Sequence, residues 1–197
     1  MIQSKSDLYF FLDQDRKALS MPQLKGLRRI KEFFFPDEIW KFERLLRYTE
    51  YYHNTLKTNL LHRGGYLLYK VRLHNQAVKL GFTIPLNVCD SGLSIAHYGS
   101  IVISANAHIG KNCHIHSGVN IGASAGRPEA PIIGDNVYIG PGAIVFGNIK
   151  IADNVTIGAN ATVNKSCEEE RAVLAGSPAS VVKQNSNNWL EFNNIHL

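Results

Sequence analysis

The sequence predicts a mainly β solenoid preceded by an α-helical N-terminal region. Two periodicities carry that prediction: apolar residues recur every three or four positions before residue 81, and β-branched aliphatics recur every six positions after Pro85. A third observation, one break in the six-residue pattern at Arg127, marks a loop.

The helical part comes first. Ile39, Phe42, Leu45, Leu46 and Thr49 lie at helical intervals, with Lys41, Glu43, Arg44 and Arg47 between them as a solvated face. Pro36-Asp37-Glu38 reads as a helix start, since proline suits the first turn and acids suit its positive end. A second helix is expected over Leu60–Leu80, closed by Gly81. The aromatic residues Phe33, Phe34, Phe35, Trp40, Tyr48, Tyr51 and Tyr52 are expected to pack against another helix or subunit.

From Ile103, steps of six reach Ile109, Ile115, Ile121, Arg127, Ile133, Ile139, Val145, Ile151, Ile157 and Val163, so ten of the eleven positions are β-branched aliphatics. Small residues follow many of them, as at Gly110, Gly122, Gly134, Gly140 and Gly158. Each unit is expected to be a short strand and a corner, with the aliphatic pointing inward and successive coils pairing their backbones. An arginine in that apolar interior would be a buried unpaired charge. Residues 123–131, which contain Arg127, are therefore expected to be extruded as a loop.

Composition bounds the rest. Residues 1–80 hold fifteen Lys/Arg against eight Asp/Glu, and residues 81–197 hold six against eight, so the net charge of +5 belongs to the first part. No nucleic-acid recognition motif accompanies it. Cys89, Cys113 and Cys167 form no paired motif and are expected to be reduced thiols in a cytoplasmic protein. The apolar run Leu8–Leu12 is too short for a signal-peptide core, and no membrane span is expected.

Four segments carry a family resemblance: Ser94-Ile95-Ala96-His97-Tyr98-Gly99 leading to Ile101-Val102-Ile103, Gly118-Val119-Asn120-Ile121-Gly122, Val137-Tyr138-Ile139-Gly140-Pro141-Gly142-Ala143, and Ala175-Gly176-Ser177-Pro178-Ala179. With them, from about Leu60 to Lys183, the chain resembles the hexapeptide-repeat acyltransferases, in detail the serine acetyltransferases and relatives that acetylate sugars. The resemblance implies a left-handed parallel β-helix of triangular section, three hexads to a coil, a rare exception to the right-handed rule for parallel strands. It also implies a homotrimer with active sites between subunits, and leaves a higher assembly through the N-terminal helices open. The expected division is a helical region over residues 1–80, a catalytic β-helix over 81–183, and a polar tail from 184, in which Trp189, Leu190 and Phe192 could dock on a neighbour.

Transfer of an acetyl group from a thioester to a hydroxyl needs a base, and histidine, with an ordinary pKa of about 6.5, suits that role. His97 matches the resembled catalytic histidine. His116 is expected about one strand spacing away and is a candidate for contacting the acceptor or CoA; Arg127 is the nearby candidate for pairing an acceptor carboxylate, and Asp90 or a residue of the helical region is the candidate for orienting His97. The resemblance places acetyl-CoA along Gly122, Ala123, Gly140, Pro141, Gly158 and Ala159, with Gly176, Ser177, Pro178 and Lys183 nearer its nucleotide. His108, His114 and His116 lack a cysteine or acid at ligand spacing, so no metal is expected.

Three departures bear on the acceptor. Thr83 and Ala96 stand where serine acetyltransferases carry acids, and Glu129-Ala130 stands where their loop presents an Arg-His pair. The expected function is therefore acetyl-CoA-dependent O-acetylation of a sugar or glycan hydroxyl in surface polysaccharide synthesis. The alternative is L-serine O-acetylation for cysteine biosynthesis. A non-catalytic scaffold ranks third.

Overall fold

The computed structural model describes residues 1–22, 37–56, 60–193 and 195. Phe33, Phe34, Phe35 and Pro36 lie outside them. Helix α1 (Lys5–Ala18) opens on a capping box, in which the Asp7 N–H donates to Ser4 Oγ at 3.1 Å and the Ser4 N–H to Asp7 Oδ2 at 2.9 Å. Helix α2 (Glu38–Asn54) is capped by Asp37, whose Oδ1 accepts the Trp40 N–H at 2.8 Å. Helix α3 (Leu60–Leu80) packs on it through Tyr69, stacked 5.0 Å from Tyr48 and 5.3 Å from Tyr52. Gly81 ends α3 with φ +79, a conformation that glycine adopts without strain.

The apolar periodicity of α2 points where expected: Phe42, Leu46 and Thr49 are buried. Two of the four charged positions expected to face solvent do not. Glu43 and Arg47, expected in a solvated face, are fully buried. Arg47 bridges Asp15 of α1 (Nε–Oδ2 2.7 Å) and Glu50 (Nη1–Oε2 3.0 Å), and donates to the carbonyls of Cys89 (2.8 Å) and Asp90 (2.6 Å). Asp15 Oδ1 also accepts the N–H groups of Gly92 and Leu93 at 2.8 and 2.9 Å. One guanidinium thus ties both helices to the first coil of the sheet region.

From residue 82 the chain visits three sheets in rotation. The first holds β1 (Phe82–Thr83), β3 (Ile101–Ile103), β6 (Asn120–Gly122), β9 (Ile144–Phe146) and β12 (Thr162–Val163). The second holds β4 (His108–Ile109), β7 (Ile132–Ile133) and β10 (Lys150–Ile151). The third holds β2 (Ser94–Ile95), β5 (His114–Ile115), β8 (Tyr138–Ile139), β11 (Thr156–Ile157) and β13 (Val173–Gly176), and is closed by antiparallel β14 (Ala179–Lys183). All other pairings are parallel.

The ladder points inward throughout: Ile109, Ile115, Ile121, Ile139, Val145 and Ile157 are all 0% exposed. At Arg127 the ladder breaks where one coil is longer than the others. Val102 pairs with Asn120 one coil on, but Asn120 pairs with Ile144, a step longer by one hexad. The extra residues form the exposed loop around Gly126 and Arg127, pinned where Asn106 Nδ2 donates to the Pro128 carbonyl at 2.8 Å.

One corner motif was not anticipated. Asn112, Asn136 and Asn154 have φ of +55, +58 and +62, and stack along the corner between the second and third sheets. Asn112 Nδ2 donates to Asn136 Oδ1 (2.8 Å), and Asn136 Nδ2 donates to Asn154 Oδ1 (3.0 Å). The signal was present in Gly110-Lys111-Asn112, Gly134-Asp135-Asn136 and Ala152-Asp153-Asn154. Asn136→Ala is expected to cost about 2 kcal/mol, combining left-handed strain with lost hydrogen bonds. Asn136→Gly should recover the backbone share, and denaturant unfolding of the two variants separates the contributions.

Candidate active site

His97 follows Ala96, the residue after β2, where the chain leaves the third sheet for the first. The rungs at this corner follow from the backbone: Ala96 N–H donates to the Ile115 carbonyl, His116 N–H to Ile139, Gly140 N–H to Ile157 and Gly158 N–H to Leu174. Ala96, His116, Gly140 and Gly158 therefore stack in one column. One position further on, His97, Ser117, Pro141 and Ala159 stack beside them. This corner turns tightly, with φ of +79 at Gly118 and +71 at Gly142; a side chain on Gly118 would meet the Gly142 backbone at 3.2 Å.

The outer face of the third sheet carries a ladder of rings. The His97 and His116 ring centroids are 5.7 Å apart, and His116 lies 5.1 Å from His114. The Tyr138 hydroxyl is hydrogen-bonded to His116 Nε2 at 3.0 Å, and Ser94 Oγ to His114 Nδ1 at 2.9 Å. Burial, reinforced by the neighbouring His116 and His97, pushes the His114 pKa down to about 4. His116 is lowered too, first by burial and then by His97. His97 itself is exposed.

The C-terminal segment completes the wall. Helix α4 (Trp189–Phe192) begins at Asn188, whose Nδ2 extends the asparagine ladder to Asn154 Oδ1 at 2.7 Å. Trp189 is buried against the chain's own third sheet, its indole N–H on the Asn112 carbonyl at 2.8 Å and its ring 4.7 Å from His114. The tail thus docks through Trp189 on its own protomer, while Phe192 stays exposed. Together with the end of α1 it frames an open cleft of about 420 Å³ whose lining includes Ser20, Ala96, His97, His114, Trp189 and Asn193. Replacing Trp189 with alanine should uncover His114 and move its titration up from about 4 towards the ordinary histidine range. An unchanged titration by NMR would show that the indole is not its cover.

The other expected site residues divide by corner. Gly140, Pro141, Gly158 and Ala159 share the His97 corner. Gly176 and Ser177 begin the hairpin above it, with Ser177 Oγ donating to Thr162 Oγ1 at 2.8 Å, and Lys183 ends β14. Gly122 and Ala123 lie at the next corner, between the first and second sheets, where the loop bearing Arg127 emerges.

Asp90 is at the third corner. Its Oδ1 accepts the Ser91 N–H at 2.8 Å, and strand β2 separates it from His97. Among the described residues the cleft lining contains no carboxylate, and Asp90 is not part of it. Several glycines also have a packing reason to be small: a Cβ on Gly140 would come within 2.8 Å of the Ala159 nitrogen. Among the described residues no three His, Cys, Asp or Glu side chains are grouped to hold a metal ion. Nor is any described helix long and apolar enough to cross a membrane.

Stacked hexads in three sheets, parallel except for β14, make this part of the chain a six-residue solenoid with an exposed histidine at one corner. Residues 130–165 match the family described as bacterial transferase hexapeptide (six repeats). The chain is also similar to serine acetyltransferases. It is 37% identical over 128 residues to a serine acetyltransferase of Mycobacterium tuberculosis, covering 64% of this chain and 56% of the relative. It is 44% identical over 94 residues to one of Staphylococcus aureus strain Mu50, covering 47% and 44%. The chain thus spans about half the length of the curated relatives it matches.

Among solved structures, serine acetyltransferase from Brucella abortus strain S19 in complex with coenzyme A superposes with a TM-score of 0.68 at 22% identity, covering 93% of this chain and 71% of that one. The soybean serine acetyltransferase complexed with serine gives 0.67 at 23%, covering 90% and 70%. These likenesses support the fold.

Proposed function

We propose that this chain is an acetyl-CoA-dependent O-acetyltransferase built on a left-handed β-helix, and that L-serine is its first-ranked acceptor. One observation carries the chemistry: His97 stands exposed in an open cleft, at the foot of a corner column of small residues, with His116 beside it. The relatives compared above, named serine acetyltransferases, favour serine over the glycan acceptor expected from sequence.

In this reading an imidazole nitrogen of His97 takes the acceptor hydroxyl proton, and backbone N–H groups steady the oxyanion. Bound acetyl-CoA would supply the acetyl thioester: the acceptor oxygen bonds to the carbonyl carbon, the C–S bond breaks, and the departing thiolate takes the proton back from His97. Gly140, Pro141, Gly158 and Ala159 would hold its pantetheine arm, and Gly176, Ser177 and Lys183 its nucleotide end. Gly122 and Ala123 serve that ligand only from a neighbouring subunit, since they belong to a different corner. We therefore assign a homotrimer with sites between subunits, in which residues 81–183 carry the chemistry and the tail walls the acceptor cleft. Val102 and Ile144, exposed on the first sheet, support such contacts.

A second reading, a sugar hydroxyl as acceptor, rests on the loop. Arg127 is its only cation, and Glu129-Ala130 replaces the Arg-His pair that would bind an amino-acid carboxylate. Thiol release from acetyl-CoA, measured in parallel with L-serine and with a panel of free and nucleotide-linked sugars, separates the two. Turnover with serine supports the first; turnover with a sugar alone transfers the assignment to the second. Release with no acceptor at all would overturn both.

A further inference from the structure

The outward face of α3 is a surface that the acetyltransferase reading leaves unused. Its inward face, Tyr69, Leu73, Gln76 and Leu80, packs against α2. At 100° per residue, Leu60, Leu67, Val71 and Val78 form one line along the opposite side, and Leu61 and Leu68 widen it. These side chains stand in the open, Leu61 at 82%, Val78 at 68% and Leu67 at 65% exposed. The helix is therefore apolar on two faces, unlike an ordinary surface helix.

The boundaries of the outer stripe are cationic. Arg63 and Lys70 run along one edge, Arg72 and Lys79 along the other, and Leu60–Leu80 contains no Asp or Glu. Between α2 and α3, at the Arg72 edge, lies an open cleft of about 470 Å³ lined by Lys41, Leu45, Arg72, Asn75, Gln76 and Lys79. Glu38 engages Lys79 at 2.6 Å and Lys41 at 3.6 Å. Arg63, Lys70 and Arg72 have no carboxylate partner among the described residues. Pairing α3 with α3 of a second copy would set these like charges against each other with no acid on either helix to offset them.

We propose that α3 is an interfacial helix that lays this protein on an anionic phospholipid surface. The leucine and valine stripe enters the headgroup boundary, while the arginines and lysines on both edges reach out to lipid phosphates. The helix lies along the surface and does not span it.

Cosedimentation of the full chain with vesicles tests this, using phosphatidylcholine alone and phosphatidylcholine mixed equally with phosphatidylglycerol. Binding is expected to the mixed vesicles only, weakening as salt rises. The double variants Leu67→Ser with Val71→Ser, and Arg63→Glu with Lys70→Glu, should each lower partitioning roughly tenfold with unchanged circular dichroism. No binding to mixed vesicles, equal binding to neutral ones, or undiminished binding by both variants overturns the proposal. A drop in oligomer mass in the Leu67 and Val71 variant, with no vesicle binding by the parent, would make the stripe an interface between copies instead.

Discussion

Replacing His97 with alanine is expected to lower kcat/KM for acetyl transfer by about 10²–10⁴-fold, the range that loss of a positioned general base produces. The fold should not suffer. The His97 ring is exposed, meets the His116 ring at 5.7 Å, and fills no core position. A thermal unfolding midpoint equal to that of the parent, together with lost turnover, is the expected pair of results. Parental turnover would remove His97 from the mechanism. His116→Ala should act differently, because its ring is held by the Tyr138 hydroxyl at 3.0 Å and stands beside the base. The expected effect is a rise in KM for the acceptor, with Tyr138→Phe reproducing part of it. An equal collapse of kcat in both histidine variants would instead make the pair one unit.

The positions that the sequence made legible are those where one side chain answers to one rule. Ile109, Ile115, Ile139 and Ile157 repeat because every coil must fill the same interior, so their burial follows from spacing alone. Arg127 was readable for the opposite reason, as the single residue that the interior excludes. His97 was singled out through its flanking motif, and it stands exposed at a corner; its role as base is the proposal.

The misses need long-range geometry. Asp90 and His97 are close in sequence, yet a corner-to-corner strand separates them. Trp189 is far in sequence but lies on His114, because its partner is a carbonyl at Asn112 that no local pattern announces. Glu43 and Arg47 sit at positions that a helical wheel gives to solvent. Only the arrival of α1 and the first coil makes those positions interior.

That buried cluster yields the largest expected change in stability. Arg47→Ala should destabilise the protein by about 3–5 kcal/mol at neutral pH, since it leaves buried carboxylates without their cation. Asp15 and Glu50 already stand above the ordinary carboxylate range, mainly because burial disfavours their charge, with Arg47 opposing that shift. Glu43 is pushed well above it, by burial first and Asp15 next.

Folded-state values above the unfolded ones mean that the folded protein binds protons more readily. The stability these groups contribute is therefore full at low pH and lost as pH rises through their folded values. Without Arg47 that loss deepens, because nothing then opposes the burial. The gap between variant and parent should accordingly narrow on acidification, as protonated Asp15 and Glu50 no longer need a guanidinium.

His114 acts in the other direction: its lowered value makes stability fall as pH drops from the unfolded value towards about 4. It does so equally in parent and variant, so the difference between them isolates the cluster. Denaturant unfolding of both proteins at neutral pH and about two units lower gives that difference directly. A gap unchanged by pH would mean that Arg47 acts by filling space. Arg47→Met combined with Asp15→Asn and Glu50→Gln should recover much of the loss if charge is the cause, and little of it if the guanidinium N–H groups that hold the Cys89 and Asp90 carbonyls are needed.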